Sequence, residues 1–254
     1  MNSVFLKSAG ETLGSGTCRP FRGTANDGFQ YAIKTQKAGE SSRLLINDFF
    51  GTLLAKELGL PVPDPSIVTI TRALATQHNI ALPKDGDVIA FGSRFWENSE
   101  AHTPDPNNAK YFDESVKSLV AGSIVFDTWV WNEDARQFLG LQVDSRMSLK
   151  LFDNDGAFNR NDWLIEKPTS KVSFQKRELI EWSETQLYNK NETLFNDWLV
   201  RLENINKAQL ENLGGHLPPQ WLNSINGNFK NGKFAELISA LDRRRFRVRG
   251  LLFG

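Results

Sequence analysis

The stretch Val125-Phe126-Asp127-Thr128-Trp129-Val130-Trp131-Asn132-Glu133-Asp134-Ala135-Arg136, followed closely by Phe152-Asp153-Asn154-Asp155-Gly156-Ala157-Phe158, decides how this chain is read. An apolar, Trp-rich run ends in a polar knot at residues 132–136. Two runs with strand character follow, 137–143 and 147–152, and the second delivers Asp153. Asp134 and Asp153 thus stand at the two ends of one hairpin. Such a pair suits a site where one carboxylate acts on a substrate hydroxyl and the other holds a metal. Phosphoryl transfer uses that arrangement, because positioning and charge neutralisation do most of the catalytic work there. The same residues equally suit a surface hairpin whose acids cap turns, a common use of Asn and Asp.

Upstream, Asn26-Asp27-Gly28 signals a tight turn between strand-like runs at 20–23 and 29–35. Lys34 lies near the end of the second run, just after Ala32-Ile33. That placement resembles the kinase strand whose lysine pairs with nucleotide phosphates, although most strand lysines point to water. Gly14-Ser15-Gly16-Thr17 has the composition of a backbone nest for phosphates, without matching either G-x-G-x-x-G or the Walker A spacing. Residues 43–58 read as a helix introduced by Ser41-Ser42 and closed by Gly59, with Ile46, Phe50, Leu53, Leu54 and Leu58 as its buried stripe. Asp48 falls about 200° around from Ile46 at roughly 100° per residue, where it either faces a cleft and meets Lys34 or is solvated.

Further along, Leu60-Pro61-Val62-Pro63-Asp64-Pro65 excludes helix and leads into a strand at 66–71. A short helical piece follows at 72–77, then a strand from Val88 whose Gly92-Ser93 makes a crossing point between two lobes. Helices are expected over 115–131, 177–188, 194–202, 207–213 and 234–252. The expected fold class is therefore α+β and two-lobed, with a β-rich lobe at 1–92 and a mainly helical lobe at 93–254 that holds the catalytic hairpin. The arginines of Arg243-Arg244-Arg245-Phe246-Arg247-Val248-Arg249 lie opposite an apolar stripe and read as a charged face meeting water or acids of the same fold.

Composition sets the outer limits. The chain has 254 residues, 40% of them hydrophobic, with seven Trp and eighteen Phe, enough for a sizeable core. The formal net charge is zero, which gives no electrostatic case for direct contact with nucleic acid or an anionic membrane. A single cysteine, Cys18, excludes an internal disulfide framework and a multi-Cys zinc site. His78, His102 and His216 are scattered without ligand spacing. No run approaches 18 apolar residues, and the expected location is the cytoplasm.

With Lys34, Asp48, Asp134 and Asp153 in this order, the chain resembles the HipA-like kinases, specifically their short, kinase-domain-only group. The resemblance spans nearly the whole chain. It rests on Tyr31-Ala32-Ile33-Lys34, Asn47-Asp48, Leu58-Gly59-Leu60-Pro61-Val62-Pro63, the knot Asn132 to Gln137, the run Phe152 to Asn159, and Pro218-Pro219-Gln220-Trp221 with its late Arg-rich helix. What the resemblance implies is an ATP- and Mg²⁺-dependent kinase acting on a protein Ser or Thr. Lys34 would bind the α/β-phosphates, and Asp48, where the family more often has Glu, would hold that lysine. Asp134 would be the catalytic base and Asp153 the Mg²⁺ ligand. Ala90, Phe91 and Gly92 would line the hinge beside adenine, and Ser15, Gly16 and Thr17 would cover the phosphates. A small antitoxin-type protein is an expected partner. In the better-known members an Asn five residues after the base is a second metal ligand. Here that position is Leu139, with Gln137 and Asp155 as substitutes, and a pseudokinase or nucleotide-regulated binding module is the alternative reading.

Overall fold

In a computed structural model, the structure describes residues 3–14, 20–36, 41–102, 104, 113–132, 134, 136–143, 146–159, 163, 192–223 and 232–253. Strands β1 (Ser3–Thr12), β2 (Phe21–Ala25), β3 (Gln30–Lys34), β4 (Pro65–Ile70) and β5 (Val88–Arg94) close into a barrel in the order β1-β2-β3-β5-β4. The parallel pairing of β1 with β4 makes the closure and leaves the barrel without a free edge. Alternate residues point inward, so Val4, Leu6, Tyr31, Ile33, Val68, Ile70 and Val88 form a compact core of their own. The Asn26-Asp27-Gly28 turn joins β2 to β3, with Gly28 at φ 83°, in the left-handed region where glycine costs least. Strand β1 has no counterpart in the sequence reading. Only Val4 and Leu6 of its ten residues are buried, so its apolar alternation is too brief to stand out.

Helix α1 (Arg43–Leu58) follows β3, and α2 (Arg72–Gln77) lies between β4 and β5, with Thr71 capping its first turn. Both occupy the residues expected. The buried surface of α1 is wider than one stripe, because Leu45, Asn47, Phe49, Gly51 and Thr52 are buried along with the predicted residues. The cause is its position: α1 packs against β4 and β5 on one side and the helices of the second half on the other.

Strand β5 continues past Gly92. Its ladder with β3 runs on to Tyr31↔Arg94, and Phe95 donates from its amide to the Gln30 carbonyl at 2.8 Å. The crossing expected at Gly92-Ser93 therefore falls beyond Arg94, before β6 (Glu100–His102). Strand β6 pairs with β7 (Gln137–Val143), and β7 with β8 (Arg146–Phe152), so the predicted hairpin gains a third strand.

The remaining described elements are helices α3 (Glu114–Val130), α4 (Glu192–Asn204), α5 (Lys207–Gly214), α6 (Pro219–Asn223), α7 (Gly232–Arg244) and α8 (Val248–Phe253). Their apolar faces, together with α1, build a second and larger core around Phe49, Phe50, Phe126, Trp129, Phe195 and Leu241. The single helix expected over 234–252 is two helices. Arg244 ends the first by turning inward, where its Nε donates to the Thr128 carbonyl at 2.9 Å and its guanidinium lies over Trp131. Arg245 pairs with Asp242, and Arg249 with Glu192, so the fold itself uses these arginines. The helix expected at 177–188 lies outside the described residues. Among the described residues, no helix is long and apolar enough to cross a membrane.

Candidate active site

The site forms where the end of β3 meets α1 and the loop after β8. Lys34 Nζ donates to Asp48 Oδ2 at 2.6 Å and to Asp153 Oδ1 at 2.8 Å. Their side chains are mostly buried, 14% exposed for Lys34 and 3% for Asp48. Burial alone would lower the lysine's pKa, but the charges of Asp48 and Asp153 outweigh it and raise it well above the ordinary value. Asp153 shows the converse. Burial pushes its carboxyl up, and Lys34 more than reverses this, leaving it below the usual carboxylate range.

Asp153 adopts φ 61°, a left-handed conformation that ends β8 abruptly. The turn aims the Asn154 amide at Asp48 Oδ1, 2.8 Å away. One carboxylate on α1 thereby holds both the lysine of the barrel and the backbone after Asp153. Two neighbours on the helix add to this grip. Asn47 Nδ2 donates to the carbonyls of Asp155 and Ala157 at 3.0 and 2.9 Å, and Thr52 Oγ1 accepts from Asn154 Nδ2 at 3.1 Å.

Asp134 follows the end of α3. Trp131 closes that helix at φ 51°, and the Asp134 amide donates to Asn132 Oδ1 at 3.3 Å. Arg136 anchors the knot. Its Nε donates to Asp127 Oδ2 at 3.0 Å, with a second contact from its terminal nitrogen to Asp127 Oδ1. The same guanidinium donates to Asn154 Oδ1 at 2.8 Å, tying the loop of Asp134 to the loop of Asp153. Asp134 packs directly on Gly156, where a Cβ would come within 2.8 Å of Asp134 Cγ and of Asn132 Oδ1. That close approach explains the glycine.

Lys34, Asp48 and Asp134, widely separated in sequence, therefore all meet the turn that carries Asp153 and Asp155. Gln137, at the start of β7, donates to Asp153 Oδ2 at 3.4 Å. Leu139 sits two residues further along, paired across the ladder with Lys150 and Ala101. Ala90, Phe91 and Gly92 lie within β5 rather than in a connecting segment. Ala90 belongs to the barrel core, Phe91 packs edge-on against Phe49 at 5.7 Å, and a Cβ on Gly92 would meet Val68. Ser15, Gly16 and Thr17 lie outside the described residues.

The supporting residues Asp127, Arg136, Asn154 and Thr52 were given no role by the sequence reading. Asp127 did carry a signal. It is the only charged residue between Lys117 and Glu133, and a carboxylate inside such an apolar helix needs a partner.

Three carboxylates, Asp48, Asp153 and Asp155, act on Lys34, and the surplus of negative charge shows in Asp155. Burial first, and then the Asp153 charge, push its carboxyl up to about 6. Among the described residues, no three His, Cys, Asp or Glu side chains are grouped to cage a metal by themselves. A site with one or two carboxylates and surplus charge fits Mg²⁺, which typically completes its shell with phosphate oxygens and water.

A β-barrel and a helical portion meeting at a lysine–carboxylate pair, opposite two further carboxylate loops, define a protein kinase-like fold. The proinflammatory kinase CtkA of Helicobacter pylori superposes over 98% of this chain and 96% of its own, with a TM-score of 0.61 at 12% identity. The Golgi casein kinase, solved with Mn and ADP bound, superposes over 99% of this chain and 73% of its own, with a TM-score of 0.53 at 12% identity. No curated protein matches the chain in sequence. The model of the HipA-like kinases matches residues 9–246, nearly the whole chain, and the chain belongs to that family.

Proposed function

We propose that the protein is an ATP- and Mg²⁺-dependent kinase that transfers the γ-phosphoryl group to a Ser or Thr hydroxyl of a protein. The observation that carries this reading is the junction at Lys34 Nζ, within 2.8 Å of both Asp48 and Asp153, in a family of kinases. Bound ATP with Mg²⁺ supplies the phosphoryl group and the charge that neutralises it. Lys34, kept protonated by its two carboxylates, binds phosphate oxygens. Asp48 holds Lys34 in place from α1. Asp153, kept ionised beside the lysine, is the principal metal ligand, with Asp155 and the side-chain oxygen of Gln137 as further donors. Asp134 accepts the proton of the attacking hydroxyl, held in position by Asn132 and the Gly156 contact.

The direct test is phosphate transfer from γ-labelled ATP to the chain itself and to a panel of protein substrates. Transfer by the wild type that is lost in Asp134→Asn supports the reading. A second reading, a nucleotide-regulated binding module, is favoured by one feature: Leu139 falls five residues after Asp134, where the family resemblance implies a metal-ligand Asn. It predicts nucleotide binding without transfer, unchanged by Asp134→Asn.

A further inference from the structure

We propose that Asn47 is a positioning residue for metal–nucleotide binding, acting from α1 through the backbone of the turn 153–157. This rests on the kinase reading above. Asn47 is fully buried. Its carboxamide nitrogen donates to the Asp155 and Ala157 carbonyls at 3.0 and 2.9 Å, and its oxygen accepts from Trp163 Nε1 at 2.8 Å. Two carbonyls need donors and one indole N–H needs an acceptor. Among side chains of this size only a carboxamide meets all three, and only in this orientation. The carbonyls it holds flank Gly156, on which Asp134 packs, and one of them belongs to Asp155 itself. Next along α1, Asp48 fixes the Asn154 amide and Lys34 together. Asn47 and Asp48 thus set successive parts of the metal-side loop from one helix, and the lysine is registered to the same helix.

The same grip has a mechanical consequence. The apolar side chains of α1 belong to the large core of the helical half rather than to the barrel core. The loop 153–157 and α1 therefore move as one body, and Asn47 keeps the carboxylates of Asp153 and Asp155 at a fixed setting toward the cleft. Groups that orient a metal ligand from behind typically change metal affinity by about 10- to 100-fold when lost.

The test compares Mg²⁺ titrations at a fixed ADP concentration, read as thermal stabilisation, for wild type, Asn47→Asp, Asn47→Ser and Trp163→Phe. Asn47→Asp keeps an acceptor for Trp163 and loses both donors, Asn47→Ser is too short to span both carbonyls, and Trp163→Phe removes only the indole bond. The expected result is a Mg²⁺ requirement raised about tenfold or more in both Asn47 variants and at most about threefold in Trp163→Phe, with Mg²⁺-free ADP binding unchanged. A purely structural role predicts instead that all three variants lose binding in proportion to their loss of melting temperature, which would overturn the proposal. Asn47→Ser serves as the milder variant should Asn47→Asp fail to fold. Wild-type stabilisation by Mg²⁺–ADP that persists unchanged in a folded Asn47 variant removes this inference alone. Absence of any Mg²⁺-dependent stabilisation in the wild type removes the kinase reading and this inference with it.

Discussion

Gly156→Ala separates catalytic geometry from stability more cleanly than removing a charged group. The added Cβ would stand 2.8 Å from Asp134 Cγ, and contact is ordinary only from 3.4 Å, so that atom must retreat by about 0.6 Å. The Asp134 carboxylate, nearer still, moves further. The clash falls on the end of a side chain rather than on backbone, and Gly156 does not occupy the left-handed region, so no backbone strain is added. Rotating Asp134 aside relieves its part of the overlap, Asn132 Oδ1 at 2.8 Å must give way as well, and the expected stability cost is about 1–2 kcal/mol, within the range for overpacking. The catalytic cost is larger, because displacing a reacting group by about 1 Å lowers rate by roughly 100-fold. Gly156→Ala should therefore melt within a few degrees of wild type, keep Mg²⁺–ADP stabilisation, and lose most of its kcat for phosphate transfer. Stopped-time assays at saturating ATP measure this. A folded Gly156→Ala protein with wild-type kcat would show that the Asp134 carboxylate is not the group acting on the substrate.

Other perturbations probe the same cluster. Lys34→Met leaves Asp48 and Asp153 facing each other without a cation and should destabilise the fold by about 3 kcal/mol in denaturant unfolding, with part recovered by adding Asp48→Asn. Asp155 has its carboxyl raised to about 6 in the fold against 3.8 when unfolded, so the native state binds its proton more tightly. That contribution is complete below 3.8 and is lost as pH rises through about 6, amounting to roughly 3 kcal/mol. Melting curves from pH 4 to 7 without metal should show this decline in the wild type relative to Asp155→Asn, and added Mg²⁺ should reduce it. Gln137→Ala should raise the Mg²⁺ requirement for nucleotide binding. Leu139→Asn should leave it unchanged, because position 139 pairs with Lys150 rather than with the end of β8.

The polar skeleton of the site was legible in the sequence because each of its members breaks a local pattern. Lys34 ends an apolar alternation, Asp48 lies off the helical stripe, and Asp134 and Asp153 bound a hairpin. What was not legible depends on distance in space. Asn47, Thr52 and Asn154 look like ordinary polar residues until α1 is laid against the loop after β8, and no periodicity announces that contact. The crossing point was placed at Gly92-Ser93 for a related reason. Gly92-Ser93 has the composition of a break, but Gly92 is small because Val68 and Tyr31 fill the barrel interior beside it, so the strand runs on. The division of the last helix at Arg245–Arg247 was likewise hidden, because Arg244 is drawn inward by Thr128 and Trp131, more than a hundred residues earlier.

The two cores give Lys34 a structural role besides the one proposed for it. The barrel has a core of its own, while the apolar side chains of α1 belong to the larger core of the helical half, which Phe91 of β5 also joins. Lys34 reaches from the barrel into that half and meets Asp48 and Asp153 in one step. Opening the cleft by moving the barrel away would break both ion pairs together and leave two carboxylates without their cation, at a cost of several kcal/mol if no ion replaced it. A metal–nucleotide complex brings its own charge of both signs to the same point. Under the proposed function Lys34 would then exchange a carboxylate for phosphate, and Asp153 would hold the metal. The ion pairs of Lys34 therefore hold the barrel against the helical half, and under the proposed function entry of nucleotide would require their transient loss.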